Sequence, residues 1–312
     1  IPSDREVIEV IPLEYKVDEL DEINDPRGMI GVRLEMKGII LTGLKTLLHN
    51  TLRCVERAGL EIVEIALQPL AAGSLVLSKD EKELGVAMVD IGGGSTTVAV
   101  FEDGHLTSTF VIPIGGETIT KDLSIVLRTT MEEAEKVKLK HGHAYYDDAS
   151  EEEIFQIPII GSDQKLSCNQ LMLAEIIEAR LSEIFELVME QLRRQGFRDI
   201  PSGFVLTGGV VKMPGVLELA QGILQNRVRT AEPNYIGVRE PQYTTAVGLL
   251  KYTWQKARQQ GISIGNSVVP TMPQKQEKKQ NRQPEMVPAD EKYPKNPNEK
   301  GKIKKLLGYF FE

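Results

Sequence analysis

The sequence predicts an α/β fold in two lobes. Short apolar runs of strand length alternate with amphipathic stretches of helix length, and a glycine-rich turn, Gly92-Gly93-Gly94, joins two of the apolar runs. With 312 residues, 41% of them apolar, the chain can bury a large core. The net charge of −8 argues against a nucleic-acid-binding protein as a whole. The charge is uneven: residues 275–305 are rich in Lys and Arg, whereas much of the acid lies before residue 200. A basic segment on an acidic body points to a separate electrostatic role for that segment. Cys54 and Cys168 lie far apart, outside any paired spacing, so free thiols in a reducing, cytosolic compartment are expected, with no Cys/His metal site. No signal peptide opens the chain, and no apolar run approaches the roughly 18 residues of a membrane span. The chain begins at Ile1, within residues that already read as strand, as expected of a piece of a longer protein.

Taken in order, residues 5–12 and 29–42 alternate as strands do. Residues 44–58 read as a helix with an apolar stripe of Leu44, Leu47, Leu48, Thr51, Leu52 and Val55, closed by Gly59. Residues 60–67 return as a strand, and the small apolar residues 69–78 predict a buried helix. Two apolar runs, Leu84 to Val89 and Val98 to Phe101, then flank the glycine turn, followed by a third strand over 106–113. Helices are predicted over 117–126 and 131–141, with irregular, acidic chain over 142–166. Ser167 is the expected N-cap of a long helix that ends at Gly196 and buries Ile177, Leu181, Ile184, Phe185, Val188 and Leu192. A short strand over 203–206 leads to Thr207-Gly208-Gly209 and, through Met213-Pro214-Gly215, to another helix. The last predicted helix of the folded part covers 244–254. Beyond about residue 258 the chain is polar and proline-containing, a composition that cannot offset its ordering entropy.

Chemistry concentrates at the glycines. In Asp90-Ile91-Gly92-Gly93-Gly94-Ser95-Thr96-Thr97 an acid ends one strand and hydroxyls open the next. Glycines let the backbone approach a ligand, and successive N–H groups form a concave nest for anions. Asp90 would be repelled by a bare phosphate, so its partner is a metal ion or water beside that phosphate. A strand-turn-strand cradle for a nucleotide with Mg²⁺ accounts for all of these residues; an ordinary glycine hairpin accounts for the turn alone. Thr207-Gly208-Gly209 and Gly115-Gly116 each precede helical chain and can present N–H groups to a nucleotide, although tight turns use Gly-Gly widely. Glu135 and Lys138 are three apart on one helix face, in reach of ribose and base edges, or simply a surface ion pair.

The order of these features is similar to that of the actin-like ATPase superfamily. Within it, Val89-Asp90-Ile91-Gly92-Gly93-Gly94, Val205-Leu206-Thr207-Gly208-Gly209, Cys54-Val55-Glu56-Arg57-Ala58-Gly59 and Thr245-Ala246-Val247-Gly248-Leu249-Leu250 resemble the FtsA family of bacterial cell division, over nearly the whole chain. The resemblance implies an actin-like (ribonuclease H-like) two-lobed fold. Residues 1–67 would be the family's inserted subdomain and 68–84 a remnant of the first lobe. Residues 85–114 and 167–258 would form the second lobe's inner subdomain, and 115–166 its outer one. Residues 259–300 would be a disordered linker and 301–312 a membrane-targeting helix. ATP and Mg²⁺ are the implied cofactors, with Asp90 orienting Mg²⁺ through water. Gly92, Gly93, Gly94, Ser95, Thr96, Gly115, Gly116, Glu135, Lys138, Gly208, Gly209 and Met213 would surround the nucleotide. A further acidic hairpin is expected ahead of residue 1 in the longer protein. Turnover is expected to be slow, since no strong general base stands out, with nucleotide mainly a conformational ligand. The implied partners are the C-terminal tail of FtsZ, further copies of the chain, other division proteins and the anionic cytoplasmic face of the membrane at the septum, and no nucleic acid. A metabolite kinase or a pilus-assembly ATPase of the same superfamily are the alternatives; no acid is marked as a kinase's catalytic base.

The last twelve residues support the membrane reading independently. Ile303, Leu306, Leu307, Phe310 and Phe311 recur at i, i+3, i+4, i+7 and i+8, and Lys302, Lys304 and Lys305 gather opposite them. An apolar stripe backed by lysines is the pattern of an interfacial helix; the polar stretch before it disfavours docking on the body. Each Lys near an anionic bilayer contributes about 1 kcal/mol, so a single copy binds modestly and self-association multiplies the effect. Replacing Leu307 and Phe310 together with Glu is expected to abolish sedimentation with anionic liposomes, and undiminished sedimentation would refute the assignment.

Overall fold

The computed structural model describes residues 1–23 and 25–259. Residues Ile1–Lys256 form one compact unit; of a second, Ala257–Glu312, only the first residues are described. The expected linker beyond residue 259 and the tail with Ile303, Lys304, Lys305, Leu306, Leu307, Phe310 and Phe311 lie outside the described residues.

The first strand, β1 (Arg5–Val17), pairs antiparallel with β2 (Leu20–Ile23) on one side and β3 (Leu34–Leu44) on the other. Register slips between Val7 and Glu9 and between Pro12 and Glu14 mark two bulges, the second beside a proline that has no N–H to donate. Helix α1 (Lys45–Arg57) follows. Gly59 ends it at φ +77°, with its N–H bonding Glu56 O and that of Leu60 bonding Val55 O, as a helix-terminating glycine does. The apolar stripe foreseen on this helix is covered only in part: Leu48, Leu52 and Val55 are half-buried, none is fully buried, and Leu47 is 66% exposed. Residues 60–67, foreseen as a strand, form no ladder among the described residues. They serve as a connector, tied by Glu64 to Lys256 at 2.9 Å.

Helix α2 (Gln68–Val76) is buried as its small residues require; a Cβ on Gly73 would lie 2.6 Å from the Phe101 ring. A short helix, α3 (Lys79–Leu84), went unforeseen, although Ser78 and Glu81 form a complete capping box at its start. Leu84 therefore ends a helix instead of beginning a strand, and Gly85 at φ +107° turns the chain into β4 (Val86–Ile91), all of whose residues are buried. Two antiparallel strands, β5 (Thr96–Glu102) and β6 (His105–Ile112), extend the sheet, followed by α4 (Gly116–Val126) and α5 (Met131–His141).

The stretch foreseen as irregular contains a hairpin, β7 (Ile154–Pro158) with β8 (Lys165–Asn169). Its strands have too few residues to register as alternation, and the buried positions, Ile157 and Cys168, are recognisable only once something packs on them. Ser167 consequently lies within β8. The N-cap of α6 (Gln170–Arg194) is Asn169, whose side chain accepts from Met172 N at 3.0 Å. The buried face of α6 is the one its period predicts. Then come β9 (Phe204–Thr207), α7 (Val216–Leu224), the unforeseen edge strand β10 (Val228–Thr230) and α8 (Thr244–Gln259).

The central sheet runs β10-β9-β4-β5-β6, its first three strands parallel and the rest antiparallel. One face packs on α4, α6 and α7 through residues such as Leu123, Leu181 and Phe185; the other packs on α2 through Ala72, Met88 and Phe101. Crevices at the carboxyl ends of parallel strands are where α/β sheets place ligands, and here those ends are Asp90-Ile91 and Thr207.

The edge is fastened by Arg229 of β10, which donates to both Glu81 oxygens, at 2.7 and 2.8 Å, and to Val76 O at 2.8 Å. The hydrogen bond from Arg229 holds the Glu81 carboxyl at about 2. A depressed carboxyl stabilises the fold above its unfolded value and loses that contribution as pH falls towards the folded one. Glu81→Gln is therefore expected to cost about 1–2 kcal/mol at pH 7, discounted for the part-exposed Arg229. The deficit should shrink steadily between pH 5 and pH 2 in denaturant titrations; a deficit independent of pH would remove the ion pair as its cause.

Candidate functional site

The glycine turn between β4 and β5 is tight and half open. Gly92 N bonds Ser95 O at 3.0 Å, while the amides of Gly93 and Gly94 have no partner among the described residues. Its carbonyls are engaged: Gly116 N bonds Gly92 O at 2.9 Å and Glu117 N bonds Gly93 O at 2.8 Å. A Cβ on Gly115 would lie 2.5 Å from Gly92 O and 2.6 Å from Gly93 O. Gly115-Gly116 is thus the lock that fixes the hairpin against the start of α4, and its helix-start amides are spent on the hairpin. Thr96 is fully buried, with Oγ1 donating to Ile114 O at 2.8 Å.

The Asp90 side chain meets the starts of α2 and α8. Its Oδ2 accepts from Gln68 Nε2 at 2.9 Å and from Thr245 Oγ1 at 3.2 Å. Its Oδ1 abuts Gly208, at φ +95°, where a Cβ would come within 2.4 Å. Burial pushes the Asp90 carboxyl above its usual range, and the hydrogen bonds from Gln68 and Thr245 offset only part of that.

A cleft of about 890 Å³ opens beside the turn. Gly92, Gly93 and Gly116 form its hairpin wall, Glu135 and Lys138 of α5 its floor, and Gly209 and Met213 its far wall. Lys138 is buried. Its Nζ donates to Gly116 O at 3.0 Å and Thr120 Oγ1 at 2.8 Å and pairs with Glu135 at 2.7 Å. The lysine consequently works as a strut between α4 and α5. Burial raises the Glu135 carboxyl, but hydrogen bonds from Lys138 and Thr120 outweigh it and leave the group below the usual carboxylate range. Half of Glu135 faces the cleft as an ionised acceptor. The mouth is edged by Lys212, paired with Glu240 at 3.0 Å, and by Gln242, which donates to Glu240 at 2.7 Å.

Seven of the residues expected around a ligand thus line one cleft. Asp90, Gly94, Ser95, Thr96, Gly115 and Gly208 do not line it; Asp90, Thr96, Gly115 and Gly208 set its geometry from behind or beside it. Sequence reading missed Gln68, Thr245, Gln242 and the Lys212–Glu240 pair. Gln68 directly before a helix-starting proline, and Thr244-Thr245 at another helix start, were the available signals. The donor set suits an anion beside a hydrated cation: unpartnered turn amides for the one, and for the other a single desolvated carboxylate whose ionised form a positive charge would favour. No cluster of three or more His, Cys, Asp or Glu that could grip a bare metal ion occurs among the described residues.

Family models match the chain twice: "Cell division protein FtsA" over residues 87–248 and "SHS2 domain inserted in FTSA" over residues 1–42. The chain belongs to the FtsA family. It is 56% identical to the cell division protein FtsA of Bacillus subtilis (strain 168) across its whole length, which is 73% of that relative. It is 42% identical to FtsA of Enterococcus hirae, where 81% of the chain matches 57% of the relative, and 37% identical to FtsA of Escherichia coli (strain K12), where 81% matches 63%. The chain therefore has an FtsA-type role in cell division. The fold is that of actin-like proteins. MreB5 of Spiroplasma citri, solved bound to ADP, superposes with a TM-score of 0.57 at 19% identity, over 71% of this chain and 69% of that one. The PilM–PilN type IV pilus biogenesis complex gives 0.58 at 17% identity, over 81% and 67%. The FtsA-type inserted domain matches the stretch that forms most of the β1–β3 sheet.

Two substitutions test this geometry. A raised acid binds its proton more tightly in the folded state, so Asp90 costs stability increasingly as pH rises from its unfolded towards its folded value. Asp90→Asn is expected to melt at or above the wild-type temperature at pH 7, with the advantage vanishing near pH 4; a marked loss at pH 7 would contradict the burial argument. Gly115→Ala places a methyl against two backbone carbonyls and is expected to cost about 1–3 kcal/mol in denaturant unfolding.

Proposed function

We propose that the chain binds ATP with Mg²⁺ in this cleft and acts at the division septum as the adaptor that ties FtsZ filaments to the cytoplasmic face of the membrane, assembling with further copies of itself as an actin-like polymer. The observation that carries the nucleotide reading is the open Gly93-Gly94 turn with Asp90 buried at its side. Gly93 and Gly94 amides receive phosphate oxygens. Glu135 accepts from ribose hydroxyls while Lys138 holds it in place, and Gly209, Met213 and Gln242 border the base. Mg²⁺, when bound, neutralises phosphate charge and orders water; Asp90, held by Gln68 and Thr245, is the residue that would orient that water. Gln68 is uncharged and Asp90 is already engaged by Gln68 and Thr245, in keeping with slow hydrolysis and a nucleotide that selects a conformation. The lysine-backed C-terminal stripe supplies membrane attachment, and the region around 115–166 with the start of α6 is the proposed seat of the FtsZ C-terminal tail.

Mg·ATP affinity measured by fluorescence titration is expected to fall tenfold or more in Asp90→Asn, about 1.4 kcal/mol, without loss of folding; equal affinity would displace Asp90 from the site. FtsZ filaments should co-sediment with anionic liposomes only when the chain is present, and assembly that proceeds equally with and without ATP would refute the conformational role of the nucleotide.

A further inference from the structure

Helix α8 touches two places that have no other reason to communicate. At its start, Thr244 Oγ1 meets Thr207 Oγ1 at 2.7 Å and Thr245 Oγ1 donates to Asp90 at 3.2 Å. In its middle, a Cβ on Gly248 would lie 2.5 Å from Ala71 O, and Lys251 Nζ donates to Ser74 O at 3.0 Å. About two and three turns from the start, Tyr252 OH and Lys256 Nζ each donate to Glu9 Oε1 at 2.9 Å, and Lys256 also reaches Glu64 at 2.9 Å. Glu9 belongs to β1 of the N-terminal sheet. The distance from Thr245 to Lys256 along the helix is about 16 Å.

The Glu9 contact is built in an unusual way. Val7 pairs with Thr42 and Glu9 with Leu41, so Ile8 is an extra residue at a bulge. Bulges re-aim side chains, and Glu9 emerges from this one 9% exposed, with Oε2 buried and lacking any hydrogen-bond partner among the described residues. Burial and the Glu9 hydrogen bond push the Tyr252 hydroxyl upward. A buried carboxylate with an unpaired oxygen is a costly way to join two surfaces; an apolar pair of the same size would hold them at least as well. Directional contacts of this kind are either made or broken, which suits a joint with two settings.

We propose that α8 couples the Asp90 side of the cleft to the N-terminal sheet, with Glu9 as the positioning residue that receives the displacement. The proposal rests on the nucleotide reading of the cleft. A change of charge beside Asp90 alters its bond to Thr245 in the first turn of α8. The contact of Gly248 with the Ala71 backbone leaves no gap to absorb a shift, so the helix moves as a unit. The far end then changes the Tyr252–Glu9–Lys256 contacts and with them the bulge in β1. By linkage, disturbing Glu9 also changes nucleotide affinity.

Hydrogen exchange of the 312-residue chain, with and without Mg·AMPPNP, tests this. In the wild type, nucleotide is expected to change exchange in β1 and β3 by about fivefold or more. Glu9→Gln keeps the shape and Tyr252→Phe removes a single hydroxyl; both should still bind Mg·AMPPNP by fluorescence titration yet lose most of that response. Glu81→Gln, which weakens the fold through the Arg229 pair and removes no contact made by α8 itself, should keep it. An unchanged response in the Glu9 and Tyr252 variants, a response lost equally in Glu81→Gln, or no response in a wild-type chain that binds nucleotide would each overturn the coupling. A wild-type chain that binds no nucleotide would fail the titration itself and overturn the cleft reading together with the coupling.

Discussion

The close approach of β4 and β9 at their carboxyl ends governs the rest of the molecule. Asp90 stands in register with Thr207, and Gly208 presses on the Asp90 carboxylate with no room for a side chain. Only a glycine at positive φ can make that approach. Once it is made, Thr207 meets Thr244, α8 starts beside Asp90, and α2 is held against α8 through Ala71 and Gly248. A buried acid is expensive, and the fold keeps this one by supplying two neutral hydrogen-bond donors, Gln68 and Thr245, in place of a salt bridge. The carboxylate therefore remains poorly compensated and responsive to any positive charge that arrives.

The turn itself shows how one set of glycines serves two purposes. Its carbonyls are used up by the first amides of α4, which fixes the hairpin, whereas its own amides at Gly93 and Gly94 stay open. Gly92 and Gly115 belong to the fixing, and the amides of Gly93 and Gly94 to the presenting. Lys138 plays a similar supporting part on the floor of the cleft, spending its charge on Gly116, Thr120 and Glu135 so that Glu135 remains ionised towards the cavity. An ion pair that looked, at helical spacing, like either a ligand contact or a surface pair is half of each: the acid faces the cleft and the base is buried.

Membership of the FtsA family and the actin-like fold give these local features a setting. The inserted N-terminal sheet is joined to the rest by directional polar contacts, Glu9 to Tyr252 and Lys256 and Glu64 to Lys256, whereas the central sheet is joined to its helices by packed apolar side chains. Apolar packing resists displacement and small polar joints permit it. The stripe on α1 belongs to the same contrast: it is amphipathic by sequence, yet Leu48, Leu52 and Val55 are only partly covered and Leu44 and Leu47 are exposed.

Long periodic elements were legible from the residues because burying one face imposes a period wherever the element sits. The core face of α6 and the strands flanking the glycine turn belong to this class, and so does the helix-ending Gly59, where a positive φ demands the residue type. Short elements were not legible. The β7–β8 hairpin, the edge strand β10 and helix α3 carry too few residues to show a period, and the expected strand over 60–67 had the pattern but met no partner. The family and the glycine cradle could thus be read from order and spacing. The direction in which Asp90 faces, the locking role of Gly115, the burial of Lys138 and the service of Gln68, Thr245 and Glu9 were decided only in three dimensions, because each depends on which residue distant in sequence arrives within hydrogen-bond reach.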